Sequence, residues 1–156
     1  NLLGNGLIAL LRNPTQLKLF SERPDLAENA VEEILRYDGP VGSLARSVLE
    51  DLEIGGKTLE RGQRVFCMVN AANRDPQQFD APDDFDITRE NSRHIAFGYG
   101  IDFCVGAPLA RMEGRLALAA MMKRMRAIEL GDSHPTWRDS PVLRGLSTLP
   151  IRFKPA

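Results

Sequence analysis

The feature that most restricts this chain is the run His94-Ile95-Ala96-Phe97-Gly98-Tyr99-Gly100-Ile101-Asp102-Phe103-Cys104-Val105-Gly106-Ala107-Pro108-Leu109-Ala110-Arg111. It reads as a glycine-punctuated loop that closes on one cysteine and runs into a helix. Three glycines in nine positions, Gly98, Gly100 and Gly106, allow positive φ angles and a close approach of backbone to something flat or bulky, where a Cβ would clash. Beyond the loop, Leu109, Met112, Leu116, Leu118, Ala119 and Ala120 recur at near-helical spacing, and Pro108 suits the first turn. Cys104 is thereby placed at a helix N-terminus. Unpaired N–H groups and the positive end of the helix dipole there favour an anion, hence the thiolate over the thiol.

A thiolate held in such a loop is a metal ligand or a nucleophile. A nucleophile needs a base, and the two histidines, His94 and His134, stand in no recognisable partner motif. Tetrahedral zinc wants three further ligands. The other cysteine, Cys67, lies far upstream in the apolar run Val65-Phe66-Cys67-Met68-Val69 and reads as a small buried hydrophobe. A single cysteine as protein ligand suits haem, whose iron already has four porphyrin nitrogens.

The pattern Phe97-Gly98-x-Gly100-x-x-x-Cys104-x-Gly106, five fixed positions in ten, resembles the haem-thiolate signature of the cytochrome P450 (CYP) monooxygenases. The flanking His94-Ile95-Ala96 and Ala107-Pro108-Leu109-Ala110-Arg111 resemble the soluble bacterial branch. The resemblance implies heme b (iron protoporphyrin IX), with Cys104 as the axial and only metal ligand from the chain. It implies Phe97 packed against thiolate and porphyrin, Gly98 and Gly106 in the haem-facing loop, and backbone N–H groups after Cys104 hydrogen-bonded to the sulfur. His94 would contact the proximal haem side or, by preference, support the loop. Asp102 departs from the pattern, standing where the family has His or Arg to meet a haem propionate. It either turns to solvent or leaves that haem edge more weakly held.

Upstream, a helix opened at Pro24 and closed by Gly39-Pro40 is expected to bury Ala27, Val31, Ile34 and Leu35. Glu33 and Arg36 are three apart and so share a face, although Glu90-x-x-Arg93 matches the same tetrapeptide. The family has a Glu-x-x-Arg pair here that locks its helix to the segment before the cysteine loop, with a third member in the intervening meander. Asp83-Asp84-Phe85 lacks that arginine, and Arg89 is taken as its substitute. A short helix is expected from Asn13, as N-cap, and Pro14 through Leu17 and Phe20. Strands are expected at Leu44 to Leu49, Leu52 to Ile54, Lys57 to Leu59 and Arg64 to Val69, with turns at Gly55-Gly56 and Gly62. By resemblance Arg46 meets a haem propionate, for which a guanidinium is suited, and Val41, Leu44, Leu146 and Ser147 face substrate. Gly131 to Ser140 reads as a polar loop, and Val142-Leu143-Arg144 is expected to pair with Ile151-Arg152-Phe153.

With 43% hydrophobic and 26% charged residues and a net charge of −1, the composition is that of a soluble globular chain. Near-neutral charge argues against nucleic acid or an anionic membrane as principal partner, no run approaches the ~20 apolar residues that span a bilayer, and there is no secretory signal pattern. Cytoplasm is the expected location. The opening Asn1-Leu2-Leu3-Gly4-Asn5-Gly6-Leu7 reads as entry partway through a helix, so the expected acid and alcohol residues of the distal side would precede Asn1, and no catalytic residue is identified in the chain.

The expectation is therefore a mainly α fold with small β-sheets (α+β), with residues 1–156 the C-terminal portion of a single cytochrome P450-like domain. Its parent would be a haem-thiolate monooxygenase hydroxylating an apolar small molecule with O2 and two electrons from a ferredoxin or flavodoxin-like donor, which would dock on a basic face at Arg111, Arg115, Lys123 and Arg124. A nonenzymatic haem-binding or sensing protein, or an inactive fragment, is the alternative.

Overall fold

Apolar residues at three- and four-residue steps form α1 (Leu2–Arg12), α2 (Pro14–Glu22) and α3 (Ala27–Asp38), and a longer α5 (Ala107–Arg124) follows the cysteine loop. These are seen in a computed structural model that describes residues 1–90 and 92–156. Pro14 opens α2, and Pro24 opens a 3-10 turn, Pro24–Leu26, that runs straight into α3; proline suits a first turn because its missing N–H would be unpaired there anyway. Asn13 holds the cap position, but its side chain turns back and donates to the Ala9 carbonyl at 2.8 Å. Ala27, Val31, Ile34 and Leu35 are all buried, as their spacing predicts. They join Leu10, Phe20, Phe85, Ile87, Leu118 and Met122 in one core.

The helices α1 and α3 meet α5 at Gly114. A Cβ there would stand 2.9 Å from Leu2 Cδ2 and 3.1 Å from Val31 Cγ2, so the close approach requires glycine. The helix expected after the cysteine is present, and this contact sets which of its sides faces inward. The residues turned inward are Ala107, Gly114, Leu118 and Met122, whereas Leu109, Met112 and Leu116 are 54%, 45% and 59% exposed. Apolar residues lie on both sides of the helix, and the small residues decide which side reaches its neighbours.

Among the described residues the β structure is four two-stranded antiparallel sheets. β1 (Leu44–Ser47) pairs with β4 (Arg64–Cys67), with Leu44 opposite Cys67 and Arg46 opposite Val65. β2 (Leu52–Ile54) and β3 (Lys57–Leu59) form the hairpin at its predicted bounds. Gly55 and Gly56 have φ of +58° and +73°, the two positive values that a two-residue turn needs to match strand twist. β5 (Met125–Leu130) pairs with β8 (Ile151–Pro155), and β6 (Thr136–Trp137) with β7 (Leu146–Thr148).

Several expectations are corrected. Strand β4 ends at Cys67, and Val69 begins a one-turn helix, α4 (Val69–Ala72). Residues 142–144 do not pair with β8; Leu143 instead bridges Val41. Part of the expected Gly131 to Ser140 loop is β6. Cys67 is exposed rather than buried, and so are Phe66 and Met68 on either side of it, at 54% and 57%, so this end of the two-stranded sheet is covered on neither face. Among the described residues, no helix is long and apolar enough to cross a membrane.

Candidate functional site

The loop before α5 is shaped by its own backbone. Gly98 N–H donates to Ile95 O at 2.9 Å, Phe103 N–H to Gly100 O at 3.2 Å, and Cys104 N–H to Phe97 O at 2.9 Å. Gly98 has φ +81°, and a Cβ on it would lie 3.1 Å from the Asp102 carbonyl oxygen. Gly106 differs from the expectation of a positive φ: at φ −82°, ψ 0° it is the N-cap of α5. A Cβ there would stand 3.7 Å from Cys104 Sγ, an ordinary contact, so the space around Gly106 does not by itself require glycine. The expected N–H donors to the sulfur are not made; among the described residues no hydrogen bond reaches Cys104 Sγ.

Cys104 is exposed and looks into a cavity of about 400 Å³. The wall is largely apolar, from Leu35, Val41, Leu44, Ala96, Phe97 and Ala110, with Gly98 and Asp102 at the loop side. Val41 and Leu44 therefore join Cys104, Phe97 and Gly98 around one space. Leu146 and Ser147 do not: Leu146 lies against Gly4 of α1, and Ser147 Oγ is 3.0 Å from Thr136 Oγ1 within its own sheet. Arg46 reaches across from β1 to Asp102, with Nη2 donating to Oδ2 at 3.1 Å. Asp102 thus does not simply turn to solvent.

Behind the loop sits a cluster that local spacing did not reveal. Arg111 donates to Glu32 through Nε at 2.7 Å and Nη2 at 2.9 Å, and its guanidinium lies 4.7 Å from the centre of the Phe97 ring. His94 Nδ1 accepts from Ala96 N–H at 3.1 Å, so its other nitrogen, Nε2, carries the proton donated to Glu32 Oε2 at 3.1 Å. His94 thereby supports the loop from behind, 6.3 Å from Phe97 between ring centres. Arg111 is committed to Glu32 and is not a free member of a basic face.

Burial alone would push the Glu32 carboxyl up. Hydrogen bonds from His94 and Arg111, with the Arg111 charge, outweigh it and hold the group at about 2. A carboxyl depressed in the folded state stabilises above its unfolded pKa and loses that contribution as pH falls through the folded value. Here the window runs from 4.5 down to about 2. Glu32→Gln is expected to lower the urea midpoint of the intact protein at neutral pH, with a cost of about 1 kcal/mol because the pair is partly open to water. The gap to wild type should close through that window, and a gap constant with pH would contradict the assignment.

The second cluster fastens the frame. Arg36 donates from Nε and Nη2 to the two Glu33 oxygens at 2.8 Å each. Its remaining N–H groups go to the carbonyls of Asn73 at 3.1 Å, Pro82 at 2.7 Å and Asp84 at 2.9 Å. All five guanidinium donors are used. Glu33 also accepts from Asp86 N–H at 2.9 Å, and Arg89 Nε lies 3.2 Å from its Oε2. Glu33 and Arg36 are 1% and 0% exposed. Asn73, unmarked in the sequence reading, links this cluster to the loop, since its Oδ1 accepts from Ile95 N–H at 2.8 Å. Its only sequence signal is its place before Arg74-Asp75-Pro76 in a turn.

The donor set fits a haem. Among the described residues no three His, Cys, Asp or Glu side chains gather to hold a metal, so a metal bound at Cys104 must bring its other ligands with it. One sulfur on a large apolar wall, with a cationic side chain on the rim, matches an apolar macrocycle that carries a central metal and peripheral carboxylates.

The fold and this one-cysteine cavity define a mainly α protein with small sheets, built around a thiolate loop. The family model for cytochrome P450 matches residues 12–154, and the chain belongs to that family, whose members bind heme b. It is 44% identical over 154 residues to the polyketide biosynthesis cytochrome P450 PksS of Bacillus subtilis, a match that takes in 97% of this chain and 38% of the relative. Against 6-deoxyerythronolide B hydroxylase of Saccharopolyspora erythraea it is 45% identical, over 98% of this chain and 38% of that protein. The solved structure of cytochrome P450 CYP109Q5 from Chondromyces apiculatus superposes with a TM-score of 0.95 at 39% identity, covering 99% of this chain and 40% of that one. The chain thus spans about two fifths of the length of the relatives it matches.

Proposed function

We propose that the protein carrying this chain is a haem-thiolate monooxygenase that hydroxylates an apolar small molecule with O2 and two electrons from a ferredoxin or flavodoxin-like donor. In this reading residues 1–156 form the C-terminal, proximal part of a single domain. The observation that carries it is Cys104 exposed at an apolar cavity where, among the described residues, no group of three metal-binding side chains gathers.

Cys104 would hold the iron. Bound metal keeps a cysteine deprotonated, so no N–H donor to the sulfur is needed for a thiolate. When bound, the haem supplies oxygen activation, which electron donation from a thiolate ligand assists. Phe97, clamped between the Arg111 guanidinium and the cavity, would keep the loop against the macrocycle, and Gly98 and Gly106 belong to the loop that would face it. Arg46 is the cationic group for a haem carboxylate. Glu33, Arg36 and Arg89 hold α3 to the meander, and through Asn73 to Ile95, so that the loop is presented in one position.

Val41 and Leu44 supply an apolar wall on which an apolar substrate can rest. Leu146 and Ser147 act on substrate only from outside this cavity. Relatives named for hydroxylating 6-deoxyerythronolide B and vitamin D(3) support an apolar substrate. The exposed Arg115, Lys123 and Arg124 remain as the basic face for an acidic electron donor, without Arg111. The free thiols Cys67 and Cys104 suit a reducing cytoplasm.

The test is a product assay on the intact, haem-loaded protein with a surrogate ferredoxin, its reductase, O2 and a panel of macrolides, sterols and fatty acids. A product one oxygen atom heavier, with the label of isotopic O2, is expected. Reducing power consumed with no oxygenated product from any member would favour the nonenzymatic haem protein.

A further inference from the structure

The rim of the Cys104 cavity carries a charge arrangement that the proposed cofactor does not require. Arg46 Nη1 donates to its neighbour's carbonyl, Ala45 O, at 3.0 Å, and Nη2 to Asp102 Oδ2 at 3.1 Å. The two partners are 56 residues apart in sequence, one on strand β1 and one in the cysteine loop, and Asp102 lines the cavity itself. A guanidinium offers its planar fork best to one carboxylate at a time. With Asp102 in place, the rim has no net charge where Arg46 alone would carry +1, and an incoming carboxylate meets both an attraction and a repulsion.

We propose that Asp102 is an internal counter-ion that occupies Arg46 in the unloaded site and competes with a carboxylate of the bound macrocycle for it. Retention of the haem is then set by two carboxylates sharing one guanidinium. The inference rests on the haem-binding reading and goes beyond it, in making the strength of cofactor retention a property of this one acidic residue. Arg46 and Asp102 are 46% and 63% exposed, so water screens the competition and its effect is modest, on the order of two- to fivefold in rate.

The experiment follows transfer of haem from the intact protein to excess apomyoglobin, read by the change in the Soret band. Asp102→Asn is expected to release haem about two- to fivefold more slowly than wild type, and Arg46→Ala to release it faster. In the Arg46→Ala background, Asp102→Asn should slow release by clearly less than it does beside Arg46, because only the direct, water-screened repulsion is left to relieve. Raising the salt concentration should narrow the gap between Asp102→Asn and wild type. Release from Asp102→Asn at or above the wild-type rate overturns the proposal, as does a slowing that is equally large without Arg46. Failure of wild type and every variant to take up haem overturns the haem reading and this inference with it, an outcome that no change in relative rates can mimic.

Discussion

Arg36→Ala is expected to cost the intact protein about 3–5 kcal/mol of folding stability, or to stop it accumulating in folded form, because it strands a buried carboxylate. Glu33 would lose both short contacts from Arg36 while remaining 1% exposed. The carbonyls of Asn73, Pro82 and Asp84 would lose a donor in the same step. Domain stability is about 5–15 kcal/mol in all, so this single change removes a large share of it. Arg36→Lys should rescue little, since an ammonium has three donors and no fork. Replacing the pair together, Glu33→Leu with Arg36→Met, should cost less than either single change, because neither fully buried charge is then left without the other, while Arg89, 14% exposed, keeps the Asp80 and Ala81 carbonyls. Urea unfolding of wild type, Arg36→Ala, Arg36→Lys, Glu33→Leu, Arg36→Met and the double variant measures this. Equal, small losses from the single variants would show that the cluster does not hold α3 to the meander.

Cys104→Ala carries the largest expected effect on function, loss of oxygenation to background. Cys67→Ala is the matched control, since Cys67 is also a free, exposed thiol but lies outside the cavity lining. The two cysteines should separate under alkylation as well. Without haem both react; with haem, Cys104 should be protected and Cys67 labelled as before. Equal labelling of both in the loaded protein would mean that the sulfur of Cys104 is not covered by the cofactor.

The parts of the fold that were legible in sequence are those set by neighbours along the chain. Gly55-Gly56 fixed the β2–β3 hairpin because two positive φ values are a local requirement. The spacing of Ala27, Val31, Ile34 and Leu35 gave the inward face of α3 because helical period is local too. The pairing of β5 with β8 was not legible: its partners lie some 20 to 30 residues apart, and a short apolar stretch does not say which other stretch it joins. The same holds within the site. Glu33 and Arg36 announced themselves by being three apart, but Glu32 finds His94 and Arg111 at separations of 62 and 79 residues, where no spacing rule applies. The apolar run around Cys67 suggests burial, but the sheet is only two strands wide and Phe66, Cys67 and Met68 are all exposed there. Gly106 does belong to the cysteine loop, but neither its φ nor the space around it requires glycine.

The most direct test of the central claim, that Cys104 is the protein's ligand to a haem iron, is the absorption spectrum of the ferrous carbon monoxide complex of the intact protein beside its Cys104→Ala variant. The account predicts a red-shifted, thiolate-type Soret band in wild type that disappears in the variant. An unshifted Soret band in a wild-type protein that does hold haem, or a red-shifted band that survives Cys104→Ala, would contradict it.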